Sequence, residues 1–87
     1  MKWISILEKL PEDGQKVIVW QHNLSDADCS RHHCAVYYHY KDDESYFDIY
    51  PRVFKTVYKS KNKFIDRDLE GDKVQLTHWM ELPNNPL

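Results

Sequence analysis

Eighty-seven residues, 41 % hydrophobic and 30 % charged, make one domain (residues 1–87) that is too apolar to stay disordered, and two glycines leave little chain for flexible linkers. A domain this small buries only about 60–65 % of the surface its unfolded chain exposes, so its core must draw heavily on the 12 aromatic side chains. A net charge of −2 lacks the high-pI footprint of a general nucleic-acid binder, and no apolar run approaches the roughly 18 residues of a membrane span.

Trp3, Ile4, Ile6 and Leu7 form an apolar cluster at the start, with room for a short helix over residues 4–10, and Pro11 with Asp13-Gly14 stops it in a turn. Val17, Ile18, Val19 and Trp20 then read as a buried strand, being a short β-branched and aromatic run bounded by turn residues. The polar stretch from Asn23 to His33 reads as a loop, because Asn, Ser and Asp bond readily to nearby backbone. Cys34 to Tyr40 and Tyr46 to Tyr50 both have strong β propensity and flank the turn-like Lys41-Asp42-Asp43-Glu44, which predicts a hairpin. A further strand over 53–58 turns at Ser60-Lys61-Asn62 and returns through Lys63-Phe64-Ile65. After a polar connection around Gly71, Val74 to Met80 forms the last strand.

Strands joined by short polar connections leave no space for parallel crossovers. The expected fold is mainly β, or α+β with one short helix, built as a small antiparallel meander or open barrel. Trp3, Trp20 and Trp79 are its expected core residues, and the first segment should pack near the last, since a small chain has few places to hide such large apolar surfaces.

Cys29, His32, His33 and Cys34 carry zinc's preferred ligand types, with His22, Asp26 and Asp28 upstream. Their spacing is not that of a paired zinc knuckle, and no second Cys/His pair lies elsewhere, so no metal or other cofactor is expected. The N-terminus lacks the basic start and apolar stretch of a secretory signal, which makes a reducing cytoplasm the expected compartment and both cysteines free thiols. No phosphate-binding glycine loop, nucleophile elbow or His-Glu-x-x-His appears, and no catalytic residues are assigned: the chain reads as a non-enzyme.

Charge is unevenly laid out. Asp42, Asp43, Glu44 and Asp48 form an acidic stretch without a base, whereas Arg52, Lys55, Lys59, Lys61, Lys63 and Arg67 face the single acid Asp66. The first four acids, with Arg52, Lys55, Lys59, Lys61 and Lys63, are the candidate partner-binding residues. Lysines here can neutralise phosphates, and Phe54, Tyr58 or Phe64 can stack on unpaired bases if they face outward, so a nucleic-acid-binding hairpin over 52–67 is the alternative reading.

The chain opens with Trp3-Ile4-Ser5 and Leu10-Pro11-Glu12-Asp13-Gly14-Gln15 and closes with Thr77-His78-Trp79-Met80-Glu81-Leu82-Pro83. These segments resemble a family of phage and prophage proteins, the domain-of-unknown-function family 551, over about the first twenty and last ten residues. The resemblance implies a small accessory protein working in a bacterial host by binding a host or phage protein, such as an inhibitor of a host enzyme or defence system, anti-CRISPR proteins being of that kind. It names no activity. Between Thr77 and Trp79, His78 is expected to bond the backbone and fix the closing strand.

Overall fold

Alternation along each strand decides this structure. The computed structural model describes residues 2–41, 44–50, 55–67 and 71–82, with the side chain of Lys55 outside that description. Asp42, Asp43, Arg52, Val53 and Phe54 therefore lie outside the described residues. Seven strands follow one another: β1 Ile4–Ser5, β2 Lys16–Asn23, β3 Arg31–Tyr38, β4 Tyr46–Tyr50, β5 Lys55–Ser60, β6 Lys63–Arg67 and β7 Lys73–Glu81. All pair antiparallel in the order β1-β7-β2-β3-β4-β5-β6, and β6 also pairs with β7.

That last pairing closes β2 to β7 into a six-stranded barrel, which removes the edges an open meander would expose. β7 makes closure possible by being long. Its first half pairs with β6, with Phe64 opposite Leu76, while its second half pairs with β1, with Ile4 opposite Trp79. The expected mainly β, antiparallel fold is thus present, closed where an open barrel was one expectation. In place of a helix over 4–10 there is the short β1 followed by turns, and the only helical turn among the described residues is the 3₁₀ segment Ala27–Cys29.

Period-two burial fills the barrel. Val17 and Val19 of β2, Ala35 and Tyr37 of β3, Phe47 and Ile49 of β4, Val57, Phe64 and Leu76 point inward and are essentially buried. Tyr37, Phe47 and Phe64 meet as rings, with centroids 5.0 Å apart for Tyr37–Phe47 and for Phe47–Phe64. Trp79 joins this core at 2 % exposure. It does so through a bulge: Trp20 faces His78 but Gln21 faces Leu76, so Thr77 is an extra residue on β7. Val74 and Leu76 point inward by strict alternation, and the extra residue switches the phase so that Trp79 also points inward while His78 points out.

Polar groups close the two ends. At one end Asn23, 2 % exposed, accepts from the backbone N–H groups of Ser25 and Asp26 and donates through Nδ2 to Asp72, while its own backbone N–H donates to Ser30 Oγ. The predicted loop over Asn23 to His33 is therefore shorter at both ends, because Asn23 still belongs to β2 and Arg31 already starts β3. At the other end the buried Ser45 hydroxyl donates to the Lys41 carbonyl and lies 3.0 Å from His39 Nδ1, whose backbone N–H reaches Asp13. Every buried side-chain N and O among the described residues has a partner.

Candidate functional site: an aromatic cleft on the outer face

The residues that β2 does not turn inward are also apolar. Ile18 and Trp20 alternate with Val17 and Val19, so the strand is apolar on both faces, and its half-buried outer face carries no second layer of strands or helices among the described residues. Pairing extends this surface sideways. Ile18 faces Met80 on β7 and Cys34 on β3, and Cys34 faces Tyr50 on β4; the neighbouring row sets Trp20 between His78 and His32.

Trp3 completes the row. Ile4 pairs with Trp79 and packs on the core, so the preceding Trp3 falls on the outer side with Ser5 and His78. Its ring meets Trp20 edge-on, with centroids 6.1 Å apart and planes at 69°. Trp3, Trp20 and His78 line a cleft of about 260 Å³. Trp3 is 41 % exposed, and Trp20 is half-buried on the barrel's outside, so neither is the core residue expected of it. Only Trp79 lies inside. The physical reason is capacity: the barrel interior is already filled by Phe47, Phe64, Tyr37 and Trp79, and alternation gives Trp20 the opposite side from Val19. His78 is exposed, and the hydrogen bond its ring makes among the described residues is to the Thr77 hydroxyl at 2.9 Å, where a backbone partner was expected.

A second opening lies between the segment 6–10 and the β5–β6 hairpin. There Ile6 to Leu10 face Lys59, Asn62 and Phe64 across a cleft of about 410 Å³. The indole of Trp79 anchors the segment by donating to the Lys9 carbonyl at 2.8 Å.

The charged candidates among the described residues do not form one face. Lys59 pairs with Phe64 and is half-buried at that second cleft, while Lys61 occupies the hairpin tip at φ 59° and Lys63 is exposed. Lys55 starts β5, and Asp42, Asp43 and Arg52 lie outside the described residues. Glu44 is exposed in the β3–β4 connection. Asp48 is the next outward position of β4 after Tyr46, opposite Thr56, whose hydroxyl donates to it at 3.4 Å. Of the aromatics of this hairpin, Phe64 is buried and Tyr58 points outward at 60 % exposure.

The Cys/His cluster is split by the strand that carries it. His32 and Cys34 project to the outer face and His33 toward Val19 inside, while Cys29 sits in the preceding 3₁₀ turn with its thiol 3.4 Å from Asp26. Neither cysteine is in a disulfide, and no group of three or more His, Cys, Asp or Glu among the described residues is arranged to hold a metal ion. Burial lowers the His33 pKa below its ordinary 6.5, and the neighbouring charges of Arg31 and His32 add to this.

The family profile described as a protein of unknown function, DUF551, matches residues 2–87. The chain belongs to this family. No curated protein and no solved structure matches it significantly. Two residues from the segments that carried the family resemblance, Trp3 and His78, meet on the surface at the cleft, whereas Trp79 from the same closing segment holds the core. Sequence reasoning missed the cleft because it assigned every tryptophan to the interior; the signal was the unbroken apolar run 17–20, which a strand must split between two faces.

Proposed function

We propose that this protein is a small, non-enzymatic binding module that docks a host or phage protein on the outer face of β7 and β2. In the phage or prophage setting that the family resemblance implies, it acts in the bacterial cytoplasm as an accessory factor. The carrying observation is the Trp3–Trp20–His78 cleft, continued by Ile18, Met80, Cys34 and Tyr50. Surface tryptophans set edge to face, Trp3 exposed and Trp20 half-buried, are rigid, water-shedding anchors of the kind that dominate protein–protein binding energy, and an apolar side chain of the partner fits the step between them. An inhibitor of a host enzyme or defence system needs such a surface and no chemistry of its own.

The test compares two baits in affinity capture from host lysate: wild type and Trp3→Ala, matched for melting temperature. Specific capture by wild type that Trp3→Ala loses supports the reading; equal recovery by both contradicts it.

A nucleic-acid reading of the 52–67 hairpin has one observation in its favour, the outward Tyr58 close in sequence to Lys61 and Lys63. Against it, Lys59 turns to the second cleft and Phe64 to the core. Titration with single strands at rising salt separates the two. A binder loses affinity with a slope near −0.7 per phosphate contact in log–log form; the protein-docking reading expects no saturable binding at physiological salt.

A further inference from the structure

The second cleft, between the segment 6–10 and the β5–β6 hairpin, is larger than the tryptophan cleft and differs from it in chemistry. Its volume of about 410 Å³ falls within the roughly 300–1,000 Å³ of small-ligand pockets. The core residues Ile6 and Phe64, with the half-buried Leu10, give it an apolar floor, and Leu7 stands at its rim at 77 % exposure. One wall is held in place by the hydrogen bond from the Trp79 indole to the Lys9 carbonyl.

Lys59 brings a positive charge to this apolar ground. It lies opposite Phe64 and in the strand phase of the buried Val57, so a position suited to a core side chain carries an ammonium. The residue is half-buried, and among the described residues no carboxylate pairs with it. Stripping water from a cation without a counter-charge costs free energy, and an anion entering the cleft recovers it. Beside it, the two-residue turn between Ser60 and Lys63 takes Lys61 into the left-handed region at φ 59° and brings Asn62 to the same cleft, where its amide is a further donor. Glu8 and Lys9 on the facing segment carry opposite charges. Lys59 is therefore the net charge of the cleft, and Glu8 opposes any ligand with several negative groups.

We propose that this cleft binds a small organic monocarboxylate, with its carboxylate on the Lys59 ammonium and the Asn62 amide and its apolar body over Ile6, Leu10 and Phe64. The charge selects the head and the floor selects the tail, so neither a plain anion nor a neutral hydrocarbon satisfies both. The site is separate from the tryptophan cleft, with which it shares no lining residue.

Octanoate is the probe, titrated into the isotope-labelled full chain and followed by nuclear magnetic resonance, with octanol and inorganic phosphate as controls for its two halves. Octanoate should saturate, shifting the backbone amides of residues 6–10, Lys59 and Asn62 while the indole signals of Trp3 and Trp20 stay in place. Octanol and phosphate should each bind about tenfold more weakly or less. Lys59→Met keeps the apolar stem and removes the charge; it should lower octanoate affinity about tenfold, leave octanol unaffected and keep the circular-dichroism spectrum. Asn62→Asp, at an exposed turn position, should weaken octanoate as well, and reads the site even if Lys59→Met fails to fold. Affinity for octanoate no better than for either control overturns the proposal. So does octanoate binding that Lys59→Met and Asn62→Asp leave unchanged, that moves the Trp3 and Trp20 signals in place of the 6–10 amides, or that does not saturate by about 10 mM.

Discussion

The indole Nε1 of Trp79 donates a 2.8 Å hydrogen bond to the carbonyl of Lys9, joining the two ends of the chain through the barrel wall. The same side chain fills the core and holds the segment 6–10 against the barrel, so it should be the most sensitive tryptophan. Trp79→Ala is expected to cost about 3–5 kcal/mol, from lost burial and the cavity left behind. Trp79→Phe keeps most of the apolar volume but loses the donor, and should cost about 1–2 kcal/mol. Denaturant melts of the two variants measure both values.

Trp3 is expected to behave in the opposite way. At 41 % exposure, with Trp20 as its ring partner, its truncation to Ala should cost about 1 kcal/mol or less. Acrylamide should quench Trp3 readily and Trp79 poorly, as single-tryptophan variants will show.

Gly14 sits at φ +80° in the turn before β2, and a Cβ built on it meets nothing within 4 Å. Gly14→Ala should therefore cost about 1–2 kcal/mol through backbone conformation alone. An unchanged midpoint would mean that the turn relaxes away from the left-handed region, which the 2.6 Å hydrogen bond from Gly14 N–H to the Tyr37 carbonyl opposes.

His33 gives stability a pH dependence with a definite sign. Its folded pKa lies below 6.5, so as pH falls through that value the unfolded chain takes up the proton first. The contribution is complete above the unfolded pKa, declines as pH drops toward the lowered folded value, and falls no further below it. Unfolding midpoints followed from pH about 7.5 to about 5 should fall more steeply in wild type than in His33→Gln.

Strand positions were legible where alternation and turns agree. The β3–β4 hairpin and the turn at Ser60-Lys61-Asn62 follow from local propensity, and the last strand is nearly coextensive with its apolar run. Closure was not legible, because the Phe64–Leu76 pairing depends on which distant strands meet and not on either sequence alone. The same limit hid the tryptophan cleft. The run Val17-Ile18-Val19-Trp20 fits either phase, and the bulge at Thr77 that sends Trp79 inward and His78 outward leaves no mark in a single sequence. Among the described charged candidates, Lys59 has the same strand phase as the buried Val57 and turns to the second cleft, whereas Lys61 and Lys63 lie at the hairpin tip and beyond it; which of them share a face depends on strand phase, which the charge run alone does not give.

Three tryptophans give three indole N–H signals, and these test the docking surface most directly. With the captured partner added to labelled protein, the resonances of Trp3 and Trp20 should shift or broaden, while that of Trp79, bonded to Lys9 inside the barrel wall, should stay in place. Saturable partner binding that leaves the Trp3 and Trp20 signals unmoved would contradict the account.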